Sequence, residues 1–227
     1  MFINKFILFI TFSLIFNSLI FVLVFFCSFC ALFDYKFITN PSIISFKPYF
    51  SIFQYFTTDS NIFLGIVSAV MIGFEISCLA KRKYELPKSI LFFKLIATTT
   101  VTLTMLTTIF YLAPRDPAGY FNKFQDSNLF FHFIVPIFAL ISFLCFEKTN
   151  KLSKKTPLFA IIPVILYATY YAINGFSNVQ NGIVPPAYDF YGFFDAGFIF
   201  AIILIPLMLF ATYLIGVVLW FVNKKEL

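Results

Sequence analysis

Two short stretches of this chain hold polar side chains whose types and spacing suit carrying a proton and attacking a carbonyl. His132 is the single histidine and lies in "SNLFFHFIVPIF". An imidazole with an ordinary pKa near 6.5 is mostly neutral at pH 7 and can accept a proton. Asn128, four residues earlier on the same helical face, is placed to orient the ring. Pro136, four residues later, has no amide hydrogen and presses on the carbonyl of His132, so the helix is expected to bend there and to open beside the imidazole. The alternative is a histidine hydrogen-bonded at the interface beside a tolerated proline. The second stretch is "QYFTTDSNIF", residues 54–63, with Thr57, Thr58, Asp59, Ser60 and Asn61 at the lip of an apolar run. One reading is helix capping, worth about 1 kcal/mol. The other is chemistry: unpaired amides and the positive dipole end of a helix start stabilise an oxyanion or a hydroxyl losing its proton. A helix beginning nearer Pro48 would enclose Thr57 and weaken that electrostatic argument.

Other chemistries are poorly provided for. A zinc site needs three or four ligands, and one histidine does not supply them; no metal and no cofactor is expected. Glycine-rich phosphate loops, G-x-S-x-G elbows and H-E-x-x-H helices are missing from the sequence. Cys27 and Cys30 form a C-x-x-C, but inside an apolar run and without a thioredoxin-like context, so they read as small packing residues, as do Cys78 and Cys145.

The elements that must position His132 and Thr57 follow from composition. With 61% hydrophobic, 22% aromatic and 11% charged residues and a mean hydropathy of +0.94, the chain is an all-α polytopic membrane protein. Apolar runs at about 6–33, 61–80, 89–113, 128–146, 157–174 and 194–222 each approach the length needed to cross the hydrocarbon layer, giving a six-helix bundle that forms a single transmembrane domain over 1–227. The first run is too long for a signal-peptide core and is kept as a span. Lys5, the cluster Lys81, Arg82, Lys83 and Lys88, the cluster Lys148, Lys151, Lys154 and Lys155, and Lys224 and Lys225 would share one side; the other side holds Lys36, Lys47, Arg115 and Lys123. By the positive-inside rule both termini are cytoplasmic, which puts Thr57 and His132 together at the outer leaflet. The net charge of +6 is accounted for by this asymmetry and by anionic headgroups, so membrane lipids are the expected partners and nucleic acid is not. The expected location is a cell membrane, that of a bacterium.

The remaining polar residues read as structure. Asn61, Gly65, Ser68 and Glu75 lie on one face of the second span, a stripe of the kind that marks helix contact. Glu75 and Lys94 lie about equally deep in antiparallel neighbours and are expected to pair, since an unpaired charge there costs about 3 kcal/mol. The threonines of "ATTTVTLTMLTT" can bond back to carbonyls at i−4. The loop "NGFSNVQNGIVPPAYDFYGFFDAG" carries Tyr188 and Asp189 and reads as a turn-rich cap, a candidate lid whose Tyr188 and Asp189, with Thr58, are candidate substrate contacts. "CLAKRKYELPKS" and "EKTNKLSKKTP" read as short solvated loops.

"YFTTDSN", "SNLFFHFIVP" and "PPAYDFYGFFD", in this order along the spans, resemble bacterial six-span relatives of the androgen-induced-gene family of membrane threonine hydrolases. The resemblance implies hydrolysis of fatty acid esters of hydroxy fatty acids by a threonine and a histidine. The family's aromatic-x-Thr pattern falls on Tyr55 and Thr57, followed by Asn61, and its histidine on His132. This chain has one extra residue between threonine and asparagine, which leaves Thr58 as an alternative nucleophile. The implied reaction is covalent acyl transfer on an amphiphilic acyl ester, with Thr57 as nucleophile, His132 as base, and Asn61, Asn128 or free amides as candidate oxyanion donors. The competing class is a non-catalytic membrane carrier or lipid-binding scaffold; no internal repeat of the carrier kind is evident.

Overall fold

Apolar length decides the architecture. In lipid every backbone amide and carbonyl must be satisfied within the chain, so each long apolar run becomes a helix. The computed structural model describes residues 2–39, 48–148, 152–195 and 197–223. Its helices are α1 (Phe2–Leu32), α2 (Phe56–Lys81), α3 (Lys88–Leu112), α4 (Ser127–Phe146), α5 (Thr156–Ser177) and α6 (Phe198–Asn223). All six are long and apolar enough to cross a membrane, and the protein is a multi-pass membrane protein. Lys47, Lys151, Lys224 and Lys225 lie outside the described residues, as does the side chain of Lys5.

α3 is the central helix. Leu91, Leu95, Ala97 and Val101 are buried, and so are Thr98, Thr99 and Thr100. Threonine is tolerated there because its hydroxyl returns to its own helix: Thr99 to the Leu95 carbonyl at 2.8 Å, Thr102 to Thr98 at 2.7 Å, Thr104 to Thr100 at 3.1 Å. α5 and α6 turn large apolar side chains such as Leu166, Ile173, Ile199 and Phe210 outward. The stripe of α2 marks helix contacts, as its composition predicts: Gly65 and Glu75 meet α1, Ser68 meets Lys94 of α3 and Asn61 meets α4. A Cβ on Gly65 would stand 2.9 Å from Val24 Cγ1.

Deep in the bundle, away from the helix starts of α2 and α4, Lys94, Glu75 and Glu147 are all fully buried. The ion pair of Lys94 is with Glu147, at 3.4 Å, rather than with Glu75. Asn17 joins the three: its amide donates to Glu75 at 2.9 Å and to Glu147 at 3.1 Å, and its oxygen accepts from Lys94. Ser13 donates to Glu75, and Ser142 to Glu147 at 2.6 Å. Glu147 immediately follows α4 and belongs to a segment that reads as solvated; instead the chain turns it back to meet the ammonium that would otherwise be isolated in hydrocarbon.

Candidate functional site

α2 begins five residues earlier than the apolar pattern predicts, but not at Pro48. A short 3₁₀ turn, Pro48–Gln54, is followed by a break at Tyr55, whose backbone is extended (φ −102°, ψ 126°). Tyr55 is the N-cap and makes no side-chain capping bond, so Thr57, Thr58 and Asp59 are first-turn residues, Ser60 follows them, and none is the cap. The amides of Thr58 and Asp59 return to the Tyr55 carbonyl at 3.0 and 3.2 Å. Those of Phe56 and Thr57 make no backbone bond among the described residues, as expected of the first donors of a helix. The break is held by Tyr167 of α5, whose hydroxyl donates to the Gln54 carbonyl at 2.7 Å.

α4 is shaped by Pro136. The turn Phe130–Ile134 is a π turn in which the amide of Val135 bonds to the Phe130 carbonyl. In that register the next acceptor, the carbonyl of Phe131, would pair with residue 136, which has no amide hydrogen. Asn61 takes the vacancy: its side-chain amide donates to the Phe131 carbonyl at 3.2 Å and to the Thr57 carbonyl at 2.8 Å. One side chain therefore ties the first turn of α2 to the widened turn of α4, and both of its protons are used in doing so. Widened turns of this kind are frequent at functional sites.

His132 sits in the middle of that turn and is buried. Its Nδ1 lies 2.9 Å from the carbonyl of Lys123 and its Nε2 lies 3.3 Å from Thr57 Oγ1. A carbonyl only accepts, so Nδ1 carries the hydrogen; Nε2 then has a free lone pair and the Thr57 hydroxyl donates to it. The imidazole meets Thr57, not Thr58. The group that orients the ring is a backbone carbonyl at the end of the short turn Tyr120–Phe124, where helical carbonyls lack partners of their own. Asn128 does not hold the ring; it is exposed on the wall of the adjoining cavity. The loop that presents Lys123 is stapled by Asp116, which accepts from the Ala118 amide at 2.8 Å and from Asn122 at 3.1 Å and pairs with the Lys123 ammonium at 2.9 Å. The Lys123 ammonium, with these donors, holds the Asp116 carboxyl below the usual carboxylate range.

Two cavities meet at Thr57. One, of about 290 Å³, is lined by polar groups of Thr57, Thr58, Lys123, Asn128, His132 and Tyr191. The other is a narrow slot of about 50 Å³ between α2, α3, α5 and α6, with walls that include Phe56, Leu103, Val164, Phe193 and Met208. Thr57, Leu112 and Tyr191 line both.

Tyr191 is the residue that sequence reasoning misses. Its hydroxyl lies beside the Thr57 side chain and the amides of Phe56 and Thr57, with Tyr167 close by, and burial pushes it up to about 12. The cap loop brings it there. Asp189 is buried and accepts from the Tyr171 hydroxyl and from the amides of Phe193 and Phe194 at 2.8 and 2.9 Å. Phe194 stacks on Tyr171 with centroids 5.5 Å apart, over Gly175, where a Cβ would stand 2.5 Å from its ring. Phe190 then packs edge-on against Tyr55 at 5.0 Å, covering the site. Of the candidates in this loop, Asp189 folds it and Tyr188 packs within its aromatic cluster; Phe190 and Tyr191 line the cavity. The period-two and helical patterns carry no signal for Tyr191, because the loop's irregular turns set its direction.

No protein-family model, curated protein or solved structure matches the chain.

Proposed function

We propose that this protein is an intramembrane ester hydrolase that acts on acyl esters through an acyl-threonine. What carries the reading is the contact between His132 Nε2 and the Thr57 hydroxyl, oriented from behind by a backbone carbonyl and standing where a polar cavity joins an apolar slot. His132 takes the Thr57 proton, Thr57 Oγ1 bonds to the ester carbonyl carbon, and the carbonyl electrons move onto oxygen. On collapse the carbon–oxygen bond to the alcohol breaks, and His132 returns the proton to the leaving alkoxide. Water from the polar cavity, deprotonated by His132, attacks the acyl-threonine and releases the acid and the free hydroxyl.

The amides of Phe56 and Thr57, which have no backbone partner among the described residues, and the Tyr191 hydroxyl beside them are the donors assigned to the oxyanion in this scheme. The slot suits a hydrocarbon chain, and the polar cavity suits the ester and its alcohol. The resemblance to the androgen-induced-gene family points to fatty acid esters of hydroxy fatty acids as the substrate class, taken up from the surrounding lipid. On the positive-inside rule, the proposal sets the site at the outer leaflet of a cell membrane with both termini cytoplasmic.

The test is fluorophosphonate labelling and lipid-ester hydrolysis by the purified protein. Label and activity are expected in the wild type and in Thr57→Ser, and both are lost in Thr57→Ala and His132→Ala. A wild type that neither labels nor hydrolyses any acyl ester overturns the reading in favour of a lipid-binding scaffold.

A further inference from the structure

A second opening lies between α2, α3 and α5, a groove of about 510 Å³ that the acyl-transfer scheme does not use. Five rings wall it, Phe53, Phe56, Phe63, Tyr167 and Tyr170, and one charged residue, Asp59, reaches it. Asp59 is half-buried, and its carboxylate makes no hydrogen bond or ion pair among the described residues. A carboxylate set among aromatic rings loses hydration, which a cationic partner offsets. The helix N-terminus beside it offsets only part of the desolvation cost. By contrast each carboxylate of the Lys94 cluster has a cation or an amide on it.

We propose that this groove binds the quaternary ammonium headgroup of an amphiphile presented from the bilayer. The unpaired carboxylate selects a cation over an anion or a neutral group. The rings choose its type: aromatic faces attract a cation without hydrogen bonds, whereas a primary ammonium has three protons to place. Of the other side-chain oxygens here, the Tyr167 hydroxyl is committed to the Gln54 carbonyl, the Ser60 and Thr100 hydroxyls are turned to their own helices or to a neighbouring threonine, and the Tyr170 hydroxyl is the one further acceptor. The Ser60 hydroxyl donates to the Thr57 carbonyl at 3.2 Å and meets Thr104 at 3.2 Å, and the Thr100 hydroxyl donates to the Ala97 carbonyl at 2.9 Å. A primary ammonium would find one carboxylate and one phenol oxygen for its three protons, fewer than it has in water. Phe56 and Tyr167, with ring centroids 5.1 Å apart, form the partition between this groove and the slot that reaches Thr57. A headgroup held against Asp59 therefore lies across these two rings from the slot that reaches Thr57. The binding proposal stands on the groove alone and holds whether or not Thr57 is acylated.

The test is a calorimetric titration of the purified protein in dodecylmaltoside with hexyltrimethylammonium, compared with hexylammonium and hexanesulfonate. Saturable binding of the quaternary probe is expected, about tenfold weaker binding of the primary amine and none of the sulfonate. Asp59→Asn is expected to weaken the quaternary probe by about tenfold or more, and Tyr170→Leu, a change at a half-exposed wall residue, by about threefold. Absence of saturable binding, equal affinity for the sulfonate, or unchanged affinity in Asp59→Asn overturns the proposal. If Asp59→Asn does not fold, unchanged affinity in Tyr170→Leu overturns it equally.

Discussion

The two polar clusters of this bundle sit at opposite depths and are built on opposite principles. Around Lys94 the polar groups face one another: Ser13, Asn17, Ser68, Ser142 and two carboxylates surround one ammonium, all buried, with the ammonium, the hydroxyls and the Asn17 amide satisfied and only Oε2 of Glu75 and of Glu147 without a hydrogen-bond partner among the described residues. At Thr57 and His132 the groups form an open chain. One carbonyl holds one imidazole, the imidazole holds one hydroxyl, and beyond the hydroxyl are two cavities and a set of donors with nothing to hold. Polarity at membrane depth is thus not in itself a sign of chemistry. What separates the two clusters is whether the last group in the network faces protein or space.

Exchanging the properties of the two clusters is the most direct way to break this distinction. His132→Gln, which keeps size and polarity, is expected to lower kcat for acyl esters by about 10³-fold while leaving the unfolding transition in place, since the ring makes only two hydrogen bonds and borders a cavity. Lys94→Met is expected to do the reverse. Removing the one cation leaves Glu75 and Glu147 buried without it, a loss of about 3–5 kcal/mol read by denaturant unfolding, with hydrolysis per folded molecule unchanged. If Lys94→Met instead removed activity at unaltered stability, the deep cluster would be part of the machinery and the distinction would fail.

The membrane class, the six helices and their approximate limits are legible in the sequence because apolar run length is a strong and local signal, and the α2 stripe and the threonines of α3 follow from residue size and hydroxyl chemistry. The juxtaposition of Thr57 and His132 is legible only because a lone histidine and a polar lip fall at the same end of alternating helices. Three things are not. The start of α2 at Phe56 depends on Tyr167 holding the break from another helix. The partner of Lys94 is Glu147, which lies past the end of an apolar run and reads as solvent-facing until the chain is seen to turn. Lys123 and Tyr191 reach the site from irregular loops, one through a backbone carbonyl, and neither position has a periodicity to betray it.

A smaller effect is expected at the strut between α2 and α4. Asn61→Leu removes the bonds to the Thr57 and Phe131 carbonyls and leaves the latter facing Pro136 with no donor. The loss is about 1–2 kcal/mol of stability. Because the nucleophile and the base sit on the two helices so joined, kcat is expected to fall by about tenfold with little change in KM, since misplacement of reacting groups is felt in the chemical step. A fall in stability with kcat intact would make Asn61 a packing residue with no positioning role.

The smallest expected effect lies outside the membrane, where Asp126 precedes α4 with a positive φ (49°) and holds the loop after α1. Its carboxylate accepts from the amides of Ile38 and Thr39 at 2.6 and 3.2 Å and from the Thr39 hydroxyl at 2.5 Å. Burial raises this carboxyl, but the hydrogen bonds from Thr39 and Ile38 and the charge of Lys36 outweigh it and hold it below the usual carboxylate range. A carboxyl depressed in the folded state contributes stability that is complete above its unfolded value of about 3.9 and disappears as the pH falls through the lower folded value. Amide exchange at Ile38 and Thr39, corrected for its intrinsic pH dependence, should therefore lose protection only on acidification below about pH 4. Asp126→Asn should show about tenfold less protection already at pH 6 and no further loss in that window, with hydrolysis changed by less than about twofold. Protection in the wild type that instead fell between pH 5 and 7 would mean that a different group holds the loop, and the open end of the bundle would then be anchored elsewhere than at the start of α4.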